Sequence, residues 1–125
     1  MSKVGLQAAA ELIGCFILGT FIQSAQRNGA YSLTVLPFAC WAVYMTFWRI
    51  SNSHFNPAVT LVQILRKDYE FSPVEGVLYM VAQFLGFLLS NLAVWWFYRN
   101  LDILNIWEFQ GDEQYIEATI MEIVG

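Results

Sequence analysis

Charged residues are scarce in this sequence, and their scarcity limits the classes of protein to which it can belong. Of 125 residues, 13% are charged and 58% are hydrophobic, whereas a soluble domain has roughly a quarter charged residues and about half apolar ones. So few charges could not cover the apolar surface of a soluble domain. Lipid is therefore the expected solvent of the chain.

Basic residues, cysteines and histidines are also few. Six Lys and Arg residues stand against ten Asp and Glu, a net charge of −4, which argues against nucleic-acid binding because that function needs a basic face. Cys15 and Cys40 fall within apolar stretches, so no disulfide framework is predicted. The one histidine, His54, has no second ligand at metal-binding spacing, so we expect no metal site. No cofactor is expected either.

Three long stretches carry almost no charge. Residues 4 to 26 contain one ionisable residue, Glu11, and residues 28 to 48 and 76 to 98 contain none. Each stretch meets the length of about 20 residues that crosses a hydrocarbon core of about 30 Å. A signal peptide is the alternative for the first stretch, but a charged residue in its middle weighs against it. The predicted transmembrane helices run over about residues 5–26, 32–48 and 72–98. The last one begins at a predicted capping box of Ser72 and Glu75, with Pro73 as the first helical residue.

A polar segment, Ser51 to Asn56, separates the second and third apolar stretches. Because Asn56 is a favourable N-cap and Pro57 a favourable first helical residue, we predict a short helix from Asn56 to about Arg66. Ten residues give ~15 Å at 1.5 Å per residue, which is half a bilayer core. Such an apolar helix either lies on the membrane interface or enters the membrane and stops midway.

The polar segment favours entry into the membrane. Irregular backbone at membrane depth is tolerated only where protein or a water-filled cavity satisfies its polar groups, as in a re-entrant loop that lines a pore. If the N-terminus is cytoplasmic, basic residues on that side outnumber those on the other, as the positive-inside rule requires. The cytoplasmic ones would be Lys3, Arg49, Arg66 and Lys67, and the others Arg27 and Arg99. We therefore predict a multi-pass membrane protein whose short helix enters from the cytoplasm.

The residues around this segment resemble a known family. Residues 54–60 read HFNPAVT and follow a serine, which is similar to the first Asn-Pro-Ala signature loop of the major intrinsic protein family, the aquaporins and aquaglyceroporins. Residues 10–14 read AELIG, and Tyr79, Gln83 and Gly86 have the spacing YxxxQxxG. Both patterns support the resemblance.

The resemblance, which extends from about residue 8 to residue 98, implies a fold. Family members have two inverted repeats, each with three transmembrane helices and one re-entrant half-helix. Residues 1–100 would form one such unit, an all-α membrane fold, and residues 101–125 an acidic connector with the start of a possible fourth helix. Residues 121–125 (MEIVG) echo the AELIG segment, so we expect the chain to be incomplete.

The resemblance also implies the residues of a pore. Asn56 would donate its amide hydrogens to a passing water or hydroxyl group, aided by the positive end of the half-helix, and Pro57 and Ala58 complete the signature. A row of backbone carbonyl acceptors would lead to that point, from Ser53, His54 and Phe55. Considered alone, the His54 ring could also be a structural hydrogen-bonding group.

Glu11 has two interpretations. An ionisable residue within a membrane helix is a functional candidate, for example a proton relay. The resemblance favours a structural role, in which the carboxylate accepts hydrogen bonds from loop amides and holds the re-entrant segment in place. Gln83 is expected to hydrogen-bond between helices. Close helix approach is expected at the glycines Gly14, Gly19 and Gly86.

Two departures from the family pattern affect the expected pore. Asn52 and Ser53 stand where the family usually reads Gly-Ala, so a glycine is missing where the loop is tight. Leu36, 20 positions before Asn56, occupies a place where the selectivity filter often has an aromatic residue. We expect the leucine to loosen selectivity toward small solutes beyond water, such as glycerol.

The sequence therefore predicts half of a membrane channel that passes water or small uncharged solutes by passive diffusion. The alternative is a half-size membrane scaffold or assembly subunit with the same fold and no pore. A membrane enzyme using His54 and Glu11 is disfavoured because there is no nucleophile motif and no cofactor fingerprint. The resemblance implies membrane lipid and a homo-oligomer, a tetramer in the family, or a partner that supplies the second repeat.

Overall fold

The described part of the chain is entirely helical. A computed structural model describes residues 2–27, 32–66 and 71–98. In chain order the helices are α1 (Lys3–Arg27), α2 (Ser32–Ser51), α3 (Pro57–Leu65) and α4 (Pro73–Tyr98). The all-α class predicted from the sequence is confirmed for these residues. The predicted connector and fourth helix, residues 101–125, lie outside them.

Helices α1, α2 and α4 have 25, 20 and 26 residues, so each is about 30 Å long or more at 1.5 Å per residue. Of the described helices, α1 and α4 are both long and apolar enough to cross a membrane. Helix α2, with 20 residues, also has the length. Its crossing of the membrane stays a prediction.

Local capping residues determine where α3 and α4 begin. The Asn56 side-chain oxygen accepts a hydrogen bond from the Ala58 N–H at 2.8 Å, and a proline follows the cap. At the start of α4, the Glu75 carboxylate accepts from the Ser72 N–H, and the Ser72 hydroxyl accepts from the Val74 N–H, both at 3.3 Å. These pairs satisfy amides that have no partner within the first helical turn.

Helix α1 contacts both α2 and α4, and α3 contacts α4. Close approach of α1 and α4 depends on small residues. A Cβ atom added at Gly86 would overlap the Leu12 carbonyl oxygen, and one added at Gly19 would overlap the Ser90 hydroxyl. The α1–α4 contact is therefore a contact between backbones, of the kind that small residues allow in membrane helices.

Large apolar side chains cover much of the outer surface. Phe38 on α2 is 69% exposed, and Trp96 and Phe97 on α4 are 70% and 81% exposed. Water would make an exposed apolar surface of this extent costly. The same surface is well solvated by hydrocarbon, which agrees with the lipid environment expected from the composition.

Candidate functional site

A buried carboxylate binds the loop between α2 and α3. Glu11, on α1, has no exposed surface. Its Oε1 accepts from the Ser51 hydroxyl at 2.6 Å and from the His54 N–H at 3.0 Å. Its Oε2 accepts from the Phe55 N–H and from the Gln83 side-chain amide, both at 2.7 Å. Three helices and the loop thus meet at one side chain.

These contacts account for a charge in an apolar interior. Burying a carboxylate is costly unless hydrogen bonds replace its water, and bonds to a charged acceptor are among the strong ones. Both partners of Glu11 Oε2 are N–H groups, so this oxygen accepts two hydrogen bonds, one of them from the loop backbone. These are the kind of contacts that the structural interpretation of Glu11 predicts.

The loop has an unusual backbone. Asn52, Ser53 and Phe55 have positive φ values of 62°, 49° and 45°. Residues other than glycine rarely adopt this backbone conformation. Asn52 stands at the position where the family usually has glycine, and asparagine is among the residues that tolerate this conformation best. The Ser53 hydroxyl donates to the Tyr44 carbonyl at 2.9 Å. Tertiary hydrogen bonds therefore hold the loop in a conformation that its sequence alone would disfavour.

The Phe55 side chain points into the protein core. It is 2% exposed, and its ring packs edge-on against Tyr44 at 5.3 Å and Phe47 at 5.8 Å between centroids. It also occupies the space that a side chain at Gly14 would need, because an added Cβ atom would overlap the ring. The ring anchors the loop between α1 and α2. Of Phe55, only the backbone groups are therefore available to a ligand.

Several polar groups of the loop have no hydrogen-bond partner within the described residues. Within the part of the chain that the structure describes, the carbonyl oxygens of Ser53, His54 and Phe55 accept no hydrogen bond. The exposed Asn56 side chain uses its oxygen for the Ala58 N–H. Its nitrogen, with two hydrogens, is therefore the group left to meet a ligand. Three acceptors and one donor group thus follow one another along four residues, Ser53 to Asn56.

Thr60 is a site residue that the sequence analysis missed. Its hydroxyl is fully buried, accepts from Gln83 at 2.9 Å and lies 3.2 Å from His54 Nδ1. The same hydroxyl donates to the Asn56 carbonyl at 3.2 Å. The position of a threonine one turn after a helix cap was the available signal, because threonine hydroxyls often bond to the carbonyl four residues earlier.

Of the predicted residues, Leu36 lies apart from this cluster. It is half-buried near the start of α2, about 22 Å along the helix from Ser51 at 1.5 Å per residue. The His54 ring belongs to the cluster, and it also packs at 5.2 Å from the Tyr79 ring and 5.3 Å from the Phe71 ring. Among the described residues, no group of three His, Cys, Asp or Glu side chains could hold a metal ion.

These features define a class of protein: an integral membrane protein in which apolar helices enclose a carboxylate-anchored loop that leads into a short, capped helix. The chain belongs to the major intrinsic protein family, because its residues 10–125 match the sequence profile of that family (Major intrinsic protein). The family resemblance predicted from residues 54–60 is thereby confirmed.

Two relatives carry the same protein name. An aquaporin of Encephalitozoon intestinalis and an aquaporin of Encephalitozoon cuniculi (strain GB-M1) are each 32% identical to the chain over 94 residues. Each alignment covers 67% of this chain and 36% of the relative, so the match spans about a third of the length of these curated proteins. No solved structure matches the chain significantly.

Proposed function

We propose that the chain is one repeat of a membrane channel that passes water and small uncharged solutes, glycerol included, by passive diffusion. One observation carries the proposal: the loop held by Glu11 presents the carbonyls of Ser53, His54 and Phe55 next to the Asn56 amide nitrogen, and within the described residues these groups have no hydrogen-bond partner. Water and alcohols both donate and accept hydrogen bonds, so they match such a row.

The proposed architecture has three transmembrane helices, α1, α2 and α4, and α3 as a re-entrant half-helix. Helix α3 has nine residues, or about 14 Å at 1.5 Å per residue, which is too short to span. The hydrogen bonds of the preceding loop to Glu11 supply what irregular backbone requires at membrane depth. The N-terminus and the entry point of α3 lie on the cytoplasmic side in this arrangement.

The same geometry suggests how the site would act on a permeating molecule. The carbonyls accept the hydrogens of water or a hydroxyl group, and Asn56 then donates to its oxygen. The N-terminus of α3 places the positive end of the helix dipole at this point, which opposes cations and protons. The chain therefore acts by orienting a neutral molecule and carries out no chemical reaction on it.

A complete pore needs a second unit in this proposal. The curated relatives are much longer than the region they share with this chain, and the family resemblance implies an inverted second repeat with its own half-helix. That unit, whether covalently joined or a separate partner, would cover the polar loop groups that lipid cannot satisfy. Further assembly into a tetramer follows the family pattern, with lipid around it.

Asn56→Asp is the substitution that tests the proposal. Aspartate keeps the capping oxygen for the Ala58 N–H but removes both amide hydrogens and adds a negative charge. If a second copy of the chain supplies the second unit, we expect proteoliposomes with the wild-type chain to shrink faster than empty liposomes after an osmotic shock, and the variant to lose that increment. Stopped-flow light scattering measures both rates, and Asn52→Asp, the same change at another exposed loop residue, should retain the wild-type rate.

The alternative function makes a different prediction in this assay. Shrinkage at the bare-lipid rate, from protein that circular dichroism shows to be helical, would favour a scaffold or a pore that requires a separate second unit. Equal rates for wild type and Asn56→Asp, both above bare lipid, would contradict the assignment of Asn56 to the pore.

Leu36→Phe tests the proposed constriction. A phenylalanine side chain is larger, so we expect it to lower glycerol uptake more than water permeability. Uptake measured on the same proteoliposomes gives the ratio of the two rates. An unchanged ratio would contradict the assignment of Leu36 to the selectivity filter.

A further inference from the structure

The Thr60 hydroxyl connects the anchor of the loop to the residue proposed to meet the permeating molecule. On one side it accepts a hydrogen bond from Gln83, whose nitrogen also donates to Glu11. On the other side it contacts the Asn56 carbonyl and the His54 ring. Because the hydroxyl is fully buried, water cannot supply a missing partner, and the hydrogens around it must be shared among these groups.

The orientation of the Gln83 amide is fixed by its neighbours. Its nitrogen has two hydrogens, and the two contacts lie at 2.7 Å to Glu11 Oε2 and 2.9 Å to Thr60 Oγ1. A reversed amide would place its oxygen against the carboxylate oxygen. Within the described residues the buried amide oxygen accepts no hydrogen bond, so the two contacts of the nitrogen decide the orientation. Gln83 is therefore a donor to Thr60.

One hydrogen remains to be placed, that of the Thr60 hydroxyl itself. The Asn56 carbonyl can only accept, whereas His54 Nδ1 can either donate or accept. If the hydroxyl donates to the carbonyl at 3.2 Å, then His54 Nδ1 must carry a hydrogen and donate to Thr60, also at 3.2 Å. All three contacts are then hydrogen bonds. The opposite assignment, with the hydroxyl donating to His54, leaves the carbonyl only its backbone bond from the Thr60 N–H.

We propose that Thr60 is a positioning residue for the pore loop: its hydroxyl fixes His54 in the tautomer that carries hydrogen on Nδ1 and holds the Asn56 carbonyl at the start of α3. The hydroxyl accepts two hydrogen bonds and donates one. It thereby links Glu11 and Gln83 to both ends of the short segment His54 to Asn56. The role in positioning Asn56 rests on the proposed channel function, whereas the His54 tautomer does not.

The chain has a single histidine, so nitrogen-15 NMR of the side chain tests the tautomer without ambiguity. In the wild-type chain in micelles, we expect the Nδ1 resonance to show a directly bonded hydrogen and Nε2 to resonate as a bare nitrogen. A wild-type spectrum in which only Nε2 carries hydrogen would overturn the proposal, whatever the variants do.

Two substitutions then test whether Thr60 sets the tautomer. Thr60→Val removes the hydroxyl but keeps the shape, and we expect the Nδ1-bound hydrogen signal to be lost or shared with Nε2. Thr60→Ser should retain the wild-type spectrum. Thr46→Val is the matched control, because the Thr46 hydroxyl makes the same kind of bond, to the Ala42 carbonyl at 2.7 Å. Wild-type histidine resonances in Thr60→Val would contradict the proposal.

Permeability measurements separate this inference from the channel function. If the wild-type chain conducts water, Thr60→Val should lower the rate per folded protein, while Thr60→Ser and Thr46→Val should not. An unchanged permeation rate in Thr60→Val would contradict the role of Thr60 in positioning Asn56. If the wild-type chain does not conduct on its own, the permeability arm tests only the proposed channel, and the NMR result still decides whether Thr60 fixes the His54 tautomer.

Discussion

Replacing Glu11 with glutamine is expected to destabilise the protein and release the loop. The amide has one oxygen and one NH₂ group, whereas each carboxylate oxygen of Glu11 accepts two hydrogen bonds. On the Oε2 side the NH₂ group would face the Phe55 N–H and the Gln83 amide, and on the Oε1 side it would face the His54 N–H and the Ser51 hydroxyl, which can turn to accept. Either way at least one loop N–H loses its acceptor, and each buried donor without an acceptor costs about 1–3 kcal/mol. Thermal unfolding in detergent, followed by circular dichroism, measures the loss. Amide hydrogen exchange at His54 and Phe55 should accelerate.

Glu75→Gln provides the matched control. Glu75 accepts a hydrogen bond from the Ser72 N–H at the start of α4, and glutamine can fill the same place in a capping box. We therefore expect a change of a few tenths of a kcal/mol, as is usual for surface substitutions. If Glu11→Gln unfolds at the wild-type temperature and its loop amides stay protected, the carboxylate is not what holds the loop.

Gly86→Ala is expected to separate α1 from α4. The added Cβ atom would overlap the Leu12 carbonyl oxygen and lie 3.1 Å from the Phe16 nitrogen, and backbone atoms cannot rotate out of the way as a side chain does. Overpacking of this kind costs about 1–3 kcal/mol. Because Gln83 lies one turn before Gly86 on α4, the shift should also weaken its bond to Glu11. We therefore expect the unfolding temperature to fall and hydrogen exchange at the loop amides to accelerate in the same variant.

Gly76→Ala separates this effect from that of a glycine substitution in general. Its added Cβ atom would overlap the Cδ1 and Cγ1 atoms of Ile64, which can both move if that side chain changes rotamer. Alanine is also favoured over glycine within a helix by up to about 1 kcal/mol. We expect Gly76→Ala to be neutral or stabilising. An equal loss of stability in both variants would contradict a backbone contact at Gly86.

Local signals in the sequence predicted where helices begin. The predicted helix from about residue 72 and the observed α4 (Pro73–Tyr98) share the capping pair Ser72 and Glu75. The short helix predicted from Asn56 corresponds to α3, which is capped by that residue. Caps depend on residues within one turn of each other, so they can be read from a single sequence.

Features that depend on distant contacts were harder to predict. The second helix was expected to end at about residue 48, whereas α2 continues to Ser51, whose hydroxyl bonds to Glu11 forty residues away in the sequence. The positive φ values of the loop and the burial of Phe55 against Gly14 also depend on tertiary contacts. Gln83 and Gly14 were found through the family resemblance, whereas Glu11 also stood out as a charged residue within an apolar stretch, and only its structural role came from the resemblance.

The depth of α3 in the bilayer tests the central claim most directly, because a re-entrant loop and an interfacial helix place its two ends differently. Fluorophores attached at Ala58→Cys and Leu65→Cys, in a chain whose Cys15 and Cys40 are replaced by alanine, can be quenched by lipids with a nitroxide at the headgroup or at the acyl-chain end. The two positions lie about 10 Å apart along α3. The account predicts that the nitroxide at the acyl-chain end quenches position 58 more strongly, and that the nitroxide at the headgroup quenches position 65 more strongly. Headgroup quenching that dominates at both positions would place α3 on the membrane surface and contradict the pore.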